Sequence, residues 1–91
     1  MAKDESAKPR REVVQFAGLM ESRLAANDHK SHWEAEDTDW LLGRLLEEVE
    51  ELKAEVANGD LGGSEQVRQE CADVANFAMM IADNLRIHVP R

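Results

Sequence analysis

The chain predicts an all-α fold, a three-helix subunit that assembles into a helical-bundle homo-oligomer. Three observations lead there. Hydrophobic residues make up 43% of the chain, mostly Leu, Ala, Val and Met, with no Tyr and two Phe. That composition favours helices over strands. Apolar residues recur at +3 and +4 spacings in three separate stretches. Finally, the chain has 91 residues, and a domain that small buries a limited fraction of its surface alone. A partner chain is expected to complete the core.

Residues 1–9 are polar and charged and have no apolar centre, so they resemble neither a secretory signal nor a membrane span. They are read as a disordered tail, and residues 10–91 as one helical domain. The first helix is predicted over residues 10–26, on the stripe Val13, Ala17, Met20 and Leu24, and Asn27-Asp28 ends it. Residues 29–37 have no period, yet they hold Lys30, Trp33 and two histidines. Loops with such cargo often carry function.

The second helix is predicted to open at Thr38 or Asp39, either of which can cap it, and to end near Asn58 before a glycine-rich break. Its seam is Leu42, Leu45, Val49, Leu52 and Val56, and Trp40 is assigned to the core. Helical phase places Glu48 at the edge of the apolar arc with Arg44, Glu51 and Glu55 on its flank, and turns Glu50 and Lys53 to solvent. The third helix is predicted from just after Ser64 to about Arg86, on the seam Val67, Cys71, Val74, Ala78, Ile81 and Leu85. Between Val74 and Ala82 it is apolar nearly all round, Asn76 excepted. Such a helix has to be enclosed, which points to a dimer or a dimer of dimers.

The formal net charge of -8 argues against a nucleic-acid partner, because phosphate backbones are bound by surplus Lys and Arg. The lone Cys71 reads as a small buried hydrophobe, which fits a reducing, cytoplasmic setting. Four carboxylates carry the chemistry. Glu48 and Glu51 on the second helix, and Glu70 and Asp73 on the third, are each spaced i, i+3, so each pair shares a helical face. In an antiparallel pair the four converge, and converging carboxylates repel unless a hard cation sits among them. Mg²⁺ or Mn²⁺ is the expected cofactor. Asn76, polar in an apolar run, needs a partner, either as a ligand contact or as a helix-to-helix hydrogen bond. The histidines show no metal spacing, and the lack of Glu-x-x-His argues against a di-iron bundle.

These residues resemble the MazG-like all-α nucleoside triphosphate pyrophosphohydrolases. That signature, Glu-Glu-x-x-Glu followed by Glu-x-x-Asp, is matched by Glu47-Glu48-Val49-Glu50-Glu51 and by Glu70-Cys71-Ala72-Asp73. The run from Ala72 to Ile81, with Lys30 and Trp33 upstream, looks like the short phage-borne members, including the MazZ type. The resemblance implies Mg²⁺-dependent cleavage of a (deoxy)nucleoside triphosphate between the α and β phosphates, with a purine deoxynucleotide favoured and dUTP or dCTP next. Carried onto matching positions, Glu48, Glu51, Glu70 and Asp73 are the metal ligands, and Glu47 holds or deprotonates the attacking water. Lys30, Arg44 or Lys53 is a phosphate contact, and Trp33, Asn76 and Phe77 are candidates for the base and sugar pocket. The chain departs from larger members in lacking a clear fourth helix. A non-catalytic helical dimerisation or adaptor module is the alternative reading.

Overall fold

The structure, a computed structural model, describes residues 8–27, 32–59 and 64–87, so most of the predicted tail lies outside the described residues. In chain order they form α1 (Arg11–Ala26), a 3₁₀ turn (Trp33–Ala35), α2 (Thr38–Ala57) and α3 (Ser64–Ile87). No strand occurs among the described residues. The three helices match the predicted ones within a residue or so at each end.

Local chemistry sets the boundaries. Asn27 closes α1, donating from its backbone N–H to the Leu24 carbonyl and from Nδ2 to the Arg23 carbonyl at 3.0 Å. α2 is capped by Asp37, not by the expected Thr38 or Asp39, since the Asp37 carboxylate accepts from the Trp40 N–H at 2.7 Å. Asn58 follows the end of α2, and Gly59 adopts φ +64, a left-handed conformation that costs glycine little. From there the chain turns back and α3 packs along α2. α3 is the central element, meeting α2, α1 and the 3₁₀ turn.

Inward-facing residues differ from the predicted seams. On α2 the buried positions are Leu41 and Glu48, while Leu42 and Val56 of the expected seam are exposed. Glu48 is therefore on the inward face of α2, not at its margin. On α3 the buried line is Ala72, Asn76 and Asn84, all spaced by multiples of four. Val67, Cys71, Val74 and Ile81 are half-buried, and Ala78 and Leu85 are exposed. The reason is hydrogen bonding. Asn76 Nδ2 donates to the Met20 carbonyl at 3.0 Å, and Asn84 Nδ2 donates to the Trp33 and Glu36 carbonyls at 3.0 and 3.2 Å. Both amides tie α3 to neighbouring backbone, so α3 turns a polar line toward α1 and the 3₁₀ turn.

Leu41 and Ala72 are the buried apolar residues among those described, and α1 buries none. Burying one leucine contributes only ~1.5–3 kcal/mol. No helix among the described residues is long and apolar enough to cross a membrane.

Candidate metal centre

The packing of α2 against α3 brings Glu48, Glu51 and Glu70 together, one oxygen from each lying within 4.8 Å of the others. The i, i+3 spacing puts the first two on one face, and the turn after Gly59 returns α3 alongside them. Their burial is graded: Glu48 is 6% exposed, Glu70 is half-buried and Glu51 is exposed. Arg44 Nη2 donates to Glu48 Oε2 at 3.1 Å. Glu48 Oε1 and Glu70 Oε1 are buried without a hydrogen-bond partner. A buried carboxylate oxygen left unpaired is costly, and a cation could satisfy two at one spot.

The electrostatics say the same. Burial pushes the Glu70 carboxyl up to about 7, and repulsion from Glu51, Glu48 and Asp73 adds to it. Glu48 is also raised, by burial first and then by Glu51 and Asp73, against the opposing pull of Arg44. Three hard oxygen donors suit Mg²⁺ or Mn²⁺.

Asp73, the fourth expected ligand, lines the same cleft but is not one of the three converging groups. Arg23 of α1 holds it by two hydrogen bonds of 2.9 and 2.8 Å. Its distance in sequence from Arg23 kept this pair out of the sequence reading.

Around the carboxylates lies a cleft of about 610 Å³, a size that accepts a small molecule. Trp33, Arg44, Asn76 and Phe77, all expected to contact substrate, line it. Lys30 lies outside the described residues. The Arg44 guanidinium stands 4.9 Å from the Phe77 ring centroid, a cation–π contact that presents a flat charged wall. Asn76 is 3% exposed and makes the helix-to-helix hydrogen bond, one of the two roles foreseen for it. Nδ2 makes the helix-to-helix bond to Met20, and Oδ1 has no partner.

Other residues fall elsewhere. Glu47 is exposed, paired with Arg44, and does not line the cleft. Lys53 sits on the solvent side against Glu50 at 3.5 Å, as its phase requires. Both tryptophans line the cleft. Trp33 is anchored, its Nε1–H donating to Asp83 Oδ2 at 3.0 Å while its carbonyl accepts from Asn84. Trp40, assigned to the core, is 48% exposed and lines the cleft. Cys71 is half-buried and free. Arg23 and Trp40 are among the cleft residues that sequence reasoning missed; Arg23 adjoins the α1 stripe, a local sign that it faces inward.

Comparison of the chain with protein-family models, with curated proteins and with solved structures gives no match in any of the three. Fold and site together define an all-α three-helix subunit bearing a carboxylate cluster that can hold a divalent cation.

Proposed function

We propose that the protein is a Mg²⁺-dependent (deoxy)nucleoside triphosphate pyrophosphohydrolase of the MazG-like kind, releasing a nucleoside monophosphate and pyrophosphate. The observation that carries this reading is the convergence of Glu48, Glu51 and Glu70 at a cleft, where one buried Glu48 oxygen has no hydrogen-bond partner. A triphosphate brings negative charge to a site that is itself acidic, and only a bound cation reconciles the two. A divalent ion bound there would neutralise phosphate charge and activate water for attack. Glu48, Glu51 and Glu70 would hold it, with Asp73 the fourth ligand. Arg44 and Lys30 meet phosphate oxygens, and Trp33, Phe77 and Asn76 enclose base and sugar. Glu47 does not line the cleft but pairs with Arg44, which does, and is proposed from there to accept the proton of the attacking water.

Resemblance favours purine deoxynucleotides, with dUTP and dCTP next. Incubation with each nucleoside triphosphate and Mg²⁺, followed by product separation, tests the reading. Monophosphate and pyrophosphate are expected, and release of orthophosphate would exclude cleavage between the α and β phosphates.

The subunit is proposed to act as a homo-oligomer. Exposed Leu42, Leu46, Val56 and Leu85 support this, as does the small apolar core. The same faces favour a second reading, a non-catalytic dimerisation or adaptor module. That module predicts no thermal stabilisation by Mg²⁺ or Mn²⁺ and no turnover.

A further inference from the structure

α1 contributes no buried residue, yet it delivers one cation to the carboxylate cluster. Arg23 donates from Nε to Asp73 Oδ1 at 2.9 Å and from Nη2 to Asp73 Oδ2 at 2.8 Å. Both Asp73 oxygens are thus engaged by one planar guanidinium, the bidentate geometry that makes such pairs strong. The pair is partly shielded, with side chains 32% and 17% exposed for Arg23 and Asp73. Both residues line the cleft that holds the three glutamates. What separates Asp73 from the converging set is a partner with the same sign of charge as a metal ion.

We infer that Arg23 is a built-in competitor of the divalent cation at Asp73: the two exchange on one carboxylate, and the displaced guanidinium serves the anionic ligand in the cleft. This rests on the metal reading proposed above. Charge favours exchange over coexistence. A guanidinium and a dication sharing one carboxylate repel strongly in a partly desolvated site, whereas four carboxylates with neither repel one another. Arg23 therefore supplies, without metal, part of the neutralisation that a metal ion supplies when bound. The wider cluster adds to its hold. Glu70 and Glu48, which line the same cleft, surround it with further negative charge. Two of the five guanidinium N–H groups satisfy Asp73, and no described residue accepts from Nη1. Lysine, a point charge without a fork, would not reproduce the arrangement.

Mn²⁺ binding, measured by calorimetry and electron paramagnetic resonance on the wild type, Arg23→Gln and Arg23→Lys, tests the exchange. Arg23→Gln is expected to bind Mn²⁺ about three- to tenfold more tightly, the scale of one partly shielded ion pair, with Arg23→Lys between. In the wild type, the Arg23 Nε–H resonance should lose its bonded shift as Mg²⁺ saturates the site. That measurement decides alone if the glutamine variant fails to fold. Equal or weaker Mn²⁺ affinity in a folded Arg23→Gln protein overturns the inference, as does an Nε–H resonance that stays in place. Absence of Mn²⁺ binding in both wild type and variant removes the metal reading as well, so the two failures are distinguishable.

Discussion

Glu70 links the candidate site to pH. In the fold its carboxyl stays protonated up to about 7, whereas the ordinary value is 4.5. Between those values the native state holds a proton that the unfolded chain has released, so stability falls as pH rises through the window. Metal-free protein is expected to melt at a lower temperature at pH 8 than at pH 5, and Glu70→Gln should flatten that difference. Mg²⁺ added at pH 8 should restore the melting temperature by mass action. Glu48→Gln makes a complementary case, because it neutralises the most buried carboxylate of the cluster. Thermal scans should show the metal-free variant more stable than wild type, with its Mg²⁺-induced shift lost and its turnover abolished. A full Mg²⁺ shift in that variant would remove Glu48 from the ligand set. The tryptophans provide a third comparison. Trp33→Ala is expected to destabilise by roughly 2 kcal/mol more than Trp40→Ala in urea unfolding, because Trp33 fills a packed position and bonds Asp83 while Trp40 is half exposed.

Among the elements, α3 organises the others through two buried amides. Asn84 bridges to two carbonyls of the 3₁₀ segment, and Asn76 reaches α1. Replacing Asn84 with Ala removes a donor from the Trp33 and Glu36 carbonyls and should cost about 1–3 kcal/mol. Amide hydrogen exchange localises the effect: protection should fall at residues 33–36 and persist along α2. The asparagines also explain why the most regular apolar repeat of α3 is not its inward line. Periodicity shows which residues share a stripe, but a side-chain amide that finds a backbone carbonyl can outweigh an apolar stripe in deciding which stripe turns inward.

The molecule as a whole has little apolar interior of its own. Leu41 and Ala72 are fully buried, while Leu46 and Leu85 stand in solvent on different helices. Light scattering after size exclusion is expected to give at least twice the mass of one chain. A Leu46→Glu/Leu85→Glu double variant should shift the protein toward monomer and lower its melting temperature. A wild type that remains monomeric at high concentration would exclude the proposed assembly.

Much of the fold was legible because helices are local. The three apolar repeats, the Asn27 stop and the glycines after Asn58 set the elements to within a residue or so, and i, i+3 spacing paired the glutamates without any tertiary knowledge. The order of elements then placed Glu48 and Glu51 opposite Glu70. Other features depended on contacts between distant parts of the chain. Arg23 meets Asp73 across 50 positions, and Trp33 meets Asp83 across 50. Helical phase specifies the face a residue occupies and leaves open what that face will meet. The sequence by itself determined an all-α chain with carboxylates arranged for a cation. Only the tertiary structure decided that Glu48 is buried at the centre of α2's inward face, that Asp73 is held by an arginine from another helix, and that Trp40 rather than Trp33 stands open at the cleft. Each of those outcomes is a competition between partners that only folding brings together.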